Sequence, residues 1–151
     1  MSLRNHRGLV VITNNLNVAH ILSEAPGVEL FVTGGKVRKS DGGIVGGAAV
    51  DLINQFKVDF AVIGSSAIDQ TGSLLDFDYQ EVRVTQAIIK QSYQTILAAD
   101  SSKFERRAPV EIGRLADLDI FVTDERPSST IEKICEAAEV ELVVADGNEH
   151  S

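Results

Sequence analysis

The sequence of 151 residues has a single cysteine, Cys135, which excludes an intrachain disulfide. One unpaired thiol fits a reducing compartment. Its setting, Ile131-Glu132-Lys133-Ile134-Cys135, reads as a buried helix position with no histidine nearby to activate the sulfur. No apolar run approaches the roughly 18 residues of a membrane span. Residues Met1 to Arg7 lack the apolar stretch of a signal peptide. A cytoplasmic protein without membrane contact is expected. Positive charge is scarce too: 14 Lys and Arg against 22 Asp and Glu leave a net charge of −8. Reading nucleic acid needs clustered cations, so this chain is not expected to bind DNA itself. A small anion needs only one local positive site and stays possible.

Several catalytic signatures are missing. The pairs Gly42-Gly43 and Gly46-Gly47 match neither GxGxxG nor a P-loop, so nucleotide binding has no motif behind it. There is no Gly-x-Ser-x-Gly elbow, and two of the three histidines, His6, His20 and His150, lie near the termini. No His, Cys and carboxylate set has metal-ligand spacing. No catalytic residue, metal or cofactor is expected.

What is present is an ordinary globular composition, 44% hydrophobic and 24% charged, in a chain long enough for one domain. Residues 8–146 are expected to form it, with tails at 1–7 and 147–151. Short β-branched runs alternate with helical patterns. Strands are expected at Leu9–Ile12, Val28–Val32, Phe60–Gly64, Thr95–Ala99, Ile120–Thr123 and Val140–Ala145. Helices are expected through Val18–Leu22, Ala48–Phe56, Gln80–Gln91 and Ser129–Ala138, and an irregular stretch with a turn at Asp69-Gln70-Thr71-Gly72. The strands are continuous apolar runs, which predicts a mostly parallel α/β sheet covered on both faces by helices.

In such a sheet ligands bind at the carboxyl ends of strands. Those ends carry Thr13-Asn14-Asn15, Thr33-Gly34-Gly35, Gly64-Ser65-Ser66, Asp100-Ser101-Ser102-Lys103 and Thr123-Asp124. Asn14 and Asn15 suit either a helix cap or an anion or hydroxyl contact. Gly34 and Gly35 suit a turn or a close approach of backbone to ligand. The segment from Lys36 to Gly47, with Lys36, Arg38 and Lys39, reads as turns or as a mobile basic lid. In Asp76-Phe77-Asp78-Tyr79-Gln80-Glu81, Asp78 and Glu81 have capping-box spacing, while Asp76, Asp78 or Glu81 can equally accept hydroxyls. Lys103 is either a solvated turn residue or a point charge for a phosphate, positioned by Asp100.

Four stretches taken together carry a family likeness: Val11-Ile12-Thr13-Asn14-Asn15-Leu16-Asn17-Val18-Ala19, Asp41-Gly42-Gly43-Ile44-Val45-Gly46, Gly72 to Arg83 and Ala99-Asp100-Ser101-Ser102-Lys103-Phe104. From Gly8 to Ala145 the chain resembles the C-terminal effector domain of the deoxyribose-operon repressor (DeoR) family of bacterial transcription regulators. The resemblance implies a fold related to ribose-5-phosphate isomerase and a phosphorylated sugar or polyol as effector, glycerol 3-phosphate foremost. It implies a homo-oligomer that meets operator DNA only through an N-terminal helix-turn-helix. That element and the first phosphate loop have no counterpart here, so an N-terminally truncated domain is expected. The isomerases carry Asp-Gly-Ala-Asp where this chain has Ile63-Gly64-Ser65-Ser66, which implies binding without turnover. On this reading Lys103 and amides near Asn14 and Gly34 meet the phosphate, and Ser65, Asp78 and Glu81 meet hydroxyls. A sugar-phosphate isomerase-like enzyme is the alternative.

Overall fold

A computed structural model describes residues 8–145 of the chain, which divides into two compact units, residues 1–56 and 57–151. In the first unit, strands β1 (Leu9–Thr13) and β2 (Val28–Val32) pair in parallel, with Leu9 opposite Val28 and Thr13 opposite Val32. Helix α1 (Leu16–Leu22) makes the crossover between them. The rings of Phe31 and Phe56 meet at 5.1 Å.

Lys36 to Gly47 is built of turns, one of its two expected readings. It holds two short antiparallel strands, β3 (Lys36–Val37) and β4 (Ile44–Val45), and a turn closed by Arg38 N to Gly43 O at 2.7 Å and Gly42 N to Arg38 O at 2.9 Å. Two-residue strands give no periodic signal, so the glycines dominated the sequence reading. Helix α2 (Gly47–Ile53) is shorter than expected. Beyond it Gln55 N and Phe56 N bond back three residues, to Leu52 O and Ile53 O, and the chain leaves the helix in tight turns.

The second unit is built on strands β5 (Val58–Ile63), β6 (Ala67–Ile68), β7 (Ser73–Asp76), β8 (Ser92–Ala98), β9 (Val110–Arg114), β10 (Ile120–Thr123) and β11 (Glu141–Val144), with helices α3 (Tyr79–Lys90) and α4 (Ser129–Ala137). The order β11-β10-β8-β5 forms one sheet, parallel throughout, as the alternating pattern predicts. The stretch expected to be irregular is instead a second sheet. Strands β6, β7 and β9 pair antiparallel, with a bulge where Glu111 faces Leu75 and Gly113 faces Leu74. One side chain makes that hairpin. Asp69 Oδ1 accepts from Thr71 N at 3.0 Å, Thr71 Oγ1 at 2.6 Å and Ser73 N at 3.0 Å.

The core lies on one face of the parallel sheet. Ile63, Leu97 and Phe121, in register across three strands, pack with Val82 of α3, Ile131 and Cys135 of α4, and Leu115. The expectation of two covered faces fails for β5. Its Ala61 and Ile63 are buried, but Phe60 and Val62, which alternate with them, are 57% and 65% exposed. An apolar run therefore stood for an alternating strand, because apolar side chains sit on its exposed face as well.

Candidate functional site

The register of the parallel sheet decides what its carboxyl end presents. Ile63 lies opposite Leu97 and Ala98 opposite Val122, so Gly64-Ser65-Ser66, Asp100 to Lys103 and Thr123-Asp124 leave the sheet side by side. A 3-10 turn over Ser101–Glu105 packs against β6, which begins just after Ser66. The hydroxyl of Ser66 donates to Asp76 Oδ1 at 3.0 Å and ties the end of β5 to the end of β7. Asp78 and α3 follow two residues later. Lys103, Ser65 and the Asp76 to Glu81 segment thus belong to one strand-end cluster in the second unit.

Their bonding separates the candidates. Ser65 is buried, and its proton lies between Ala67 O at 2.7 Å and Leu75 O at 3.0 Å while its oxygen accepts from Leu75 N at 3.2 Å. Asp78 is the N-cap of α3, accepting from Gln80 N at 2.8 Å and Glu81 N at 3.4 Å. Glu81 stands in the first turn, where the helix dipole favours a carboxylate, with one of its oxygens buried. Both acids have further partners within the structure. Asp76 differs: Oδ1 accepts from Ser66 Oγ and from Phe77 N at 2.8 Å, while the residue is only half-buried.

Around Lys103 the charges oppose a simple phosphate pocket. Its ammonium pairs with Asp100 Oδ2 at 3.6 Å. Asp100 Oδ1 accepts from the hydroxyl and the backbone N–H of Ser102, which with the lysine charge holds its carboxyl below the usual range. Asp124 accepts from Ser101 N at 2.7 Å, and that bond lowers its pKa as well. The Ser101 hydroxyl donates to Glu125 at 3.1 Å. Lys103 therefore pairs with one carboxylate, while Asp124 and Glu125 on the neighbouring strand end hold Ser101, a setting that receives hydroxyl donors more readily than a dianion alone.

In the first unit Asn15 caps α1, accepting from Asn17 N at 2.8 Å and Val18 N at 3.1 Å. Its amide donates to Asp41 O at 3.1 Å, and Asn17 reaches the same carbonyl at 3.2 Å. Asn14 donates to Ile44 O at 3.1 Å. These side chains fasten the glycine-rich turn to the start of α1. Gly35, at φ +135°, leaves no room for a Cβ, which would lie 2.5 Å from Val45 O. Gly34 has open space and an ordinary φ. Before it stands Thr33, 4% exposed, whose hydroxyl has no hydrogen-bond partner among the described residues. Sequence reasoning missed Thr33, Ser66 and Asp124 as candidates. Their one local signal is a polar residue directly after an apolar strand.

Among the described residues no group of three or more His, Cys, Asp or Glu is arranged for a metal, and no helix is long and apolar enough to cross a membrane. A groove of about 200 Å³ lies along the C-terminal half of α3, between Ile89, Lys90, Ile112 and Leu118.

The family described as the DeoR C terminal sensor domain matches residues 1–125. The chain belongs to that family. This sensor domain is 44% identical over 146 residues to the glycerol-3-phosphate regulon repressor of Haemophilus influenzae, covering 97% of this chain and 56% of the relative. It is 42% identical over 141 residues to the repressor of the same name in Escherichia coli, covering 93% and 56%. It is 34% identical over 143 residues to the HTH-type transcriptional repressor CsqR of Escherichia coli, covering 95% and 55%. The sensor domain therefore spans about half the length of the curated relatives it matches. Those relatives carry the names of regulators, and the isomerase alternative finds no support among them.

Proposed function

We propose that residues 8–146 act as the effector-sensing and oligomerising domain of a cytoplasmic repressor, and that the effector is a phosphorylated sugar or polyol, glycerol 3-phosphate foremost. The observation that carries this reading is the strand-end cluster, where the Lys103 ammonium pairs with Asp100 beside carboxylates that accept hydroxyls. A phosphorylated polyol has one anionic end and a row of hydroxyls, which suits both halves of that cluster. In this reading Lys103 meets the phosphate, and Glu81 keeps the role of hydroxyl acceptor. Asn14, Gly34 and Gly35 lie at the strand ends of the first unit, where the Asn14 amide holds Ile44 O. Asn15, Ser65 and Asp78 act one step back, because their polar atoms already hold α1, the β6–β7 hairpin and α3. The names of the glycerol-3-phosphate regulon repressors support the choice of effector.

Operator DNA is met in this reading by another segment of the longer protein, because a chain of net charge −8 repels phosphate. Effector binding lowers operator affinity only as far as the two domain arrangements differ in effector affinity, typically by about 1–3 kcal/mol. Nothing in this reading turns the effector over.

The test is a thermal-shift and operator-release titration of the full-length protein against a panel of sugar and polyol phosphates. A ligand that binds only the native state raises its stability by RT ln(1 + [L]/Kd). Glycerol 3-phosphate is expected to raise the melting temperature and release operator at the same concentrations. A flat response across the panel would overturn the reading, and so would isomerisation of a sugar phosphate by intact protein that is lost on Lys103→Ala. The isolated chain is expected to show no sequence-specific duplex binding at physiological salt.

A further inference from the structure

Three features at the ends of β5 and β7 leave open space or bonding capacity beyond what the fold uses. Gly64 has an ordinary φ and nothing within 4 Å of where a Cβ would stand, so the fold does not require glycine there. Ser66 is half-buried and gives its proton to Asp76 Oδ1, which leaves its oxygen lone pairs as acceptors. Asp76 uses Oδ1 twice, for Ser66 and for Phe77 N, while Oδ2 has no hydrogen-bond partner among the described residues. Asp78, two residues on, is instead occupied at the N-terminus of α3.

We propose that Ser66 and Asp76, floored by Gly64, form the subsite that recognises a vicinal diol of the effector. The inference rests on the sugar-phosphate reading and deepens it. Ser66 Oγ and Asp76 Oδ2 both accept, so they match two neighbouring O–H donors, the primary hydroxyl on Ser66 and the secondary on Asp76. A lone hydroxyl fills half of the pair, and a bare phosphate, which offers few protons at neutral pH, fills none of it. The bare face of Gly64 lets a carbon backbone lie against the end of β5 while its two hydroxyls reach the pair. Lys103 follows the neighbouring strand β8, on the turn that packs against β6, and takes the anionic end of the same ligand. The specificity for a polyol over other phosphates then lies with Asp76 and Ser66, and the charge contact lies with Lys103.

The experiment titrates operator release of the full-length protein with glycerol 3-phosphate and with 3-hydroxypropyl phosphate, which lacks the secondary hydroxyl. Wild type is expected to favour glycerol 3-phosphate. Asp76→Asn keeps an oxygen for Ser66 and Phe77 and turns the outward acceptor into a donor. It is expected to weaken glycerol 3-phosphate roughly ten-fold, with the 3-hydroxypropyl phosphate midpoint almost unmoved. Ser66→Ala removes the acceptor of the primary hydroxyl that both ligands share, so it should raise both midpoints, by a smaller factor. Gly64→Ala, whose methyl meets no protein atom, should raise both midpoints without changing the melting temperature. These last two variants keep the test open if Asp76→Asn folds poorly. A folded Asp76→Asn protein that keeps the wild-type preference, or a folded Ser66→Ala protein with both midpoints unmoved, overturns the diol subsite alone. A wild-type protein that answers neither phosphate overturns the sugar-phosphate reading, and the subsite falls with it.

Discussion

The turn from Asp41 to Gly47 and the turn from Asp100 to Lys103 look alike as text, each a short polar stretch rich in small residues beside a lysine or arginine. Their bonding groups differ. In the first, the carbonyl of Asp41 takes two carboxamides, and the backbone of Gly42 and Gly43 closes on Arg38. In the second, Lys103 pairs with Asp100, and Asp100, Asp124 and Glu125 hold the turn at the end of a parallel sheet while staying exposed themselves. Glycine and charge therefore do not identify a binding loop. A loop whose donors and acceptors are satisfied internally is a joint, and one with spare valence at a strand end is a site.

The largest effect that sharpens this comparison is expected from the two glycines before β3. Gly35→Ala places a methyl against Val45 O at a φ of +135°, so it should destabilise by about 1–3 kcal/mol or more in chemical denaturation. Gly34→Ala meets nothing and should leave stability within about 0.5 kcal/mol. Equal losses would break the distinction between joint and open strand end.

Next is Lys103. Lys103→Met keeps the stem and removes the charge, so operator release should need roughly ten- to hundred-fold more effector while the melting curve holds. Lys103→Arg should retain part of the response. An unchanged midpoint in the Met variant would return Lys103 to the solvated turns.

A smaller effect is expected at the caps. Asp78→Ala should cost about 1 kcal/mol of stability through α3, and Asn15→Ala a similar amount through α1 and its turn. Glu81→Gln should change stability by at most about 1 kcal/mol, yet weaken the effector response if its carboxylate meets a hydroxyl.

The smallest effect is a pH limb. Asp69 is held below the usual carboxylate range chiefly by the Thr71 hydroxyl, then by the Ser73 amide. A carboxylate lowered in the folded state contributes stability above its unfolded pKa of about 3.9, and loses it as pH falls toward the folded value. Asp69→Asn should therefore flatten the fall in melting temperature below about pH 4, with little change at pH 7. A parallel offset at every pH would show that the turn matters and the charge does not.

Much of the parallel sheet and all four helices were legible in the sequence, because their signals are local. Apolar runs mark β2 and β10, a 3.6-residue stripe marks α3, and Asn15, Asp78 and Ser128 announce helix starts. The β6–β7–β9 sheet was not legible, since its strands are short and β9 joins from more than thirty residues away in sequence. The strand-end positions of Lys103 and Ser65 followed from the fold rule, whereas the contrast between Asp76 and Asp78 did not.

By itself the sequence determined an acidic α/β chain of the DeoR sensor family, with polar residues where its parallel strands end. Propensity, periodicity and capping act within a turn or two of chain and can be read in order. Tertiary structure alone decided which of those polar residues keep bonding capacity. Asn15 is spent on a carbonyl 26 residues away, the Arg114 guanidinium on Ser73 across 41, and Ser66 is aimed at Asp76 across 10. A hydrogen bond consumes a lone pair or a proton whatever its separation along the chain, so the free valence that makes a site exists only once the chain has folded.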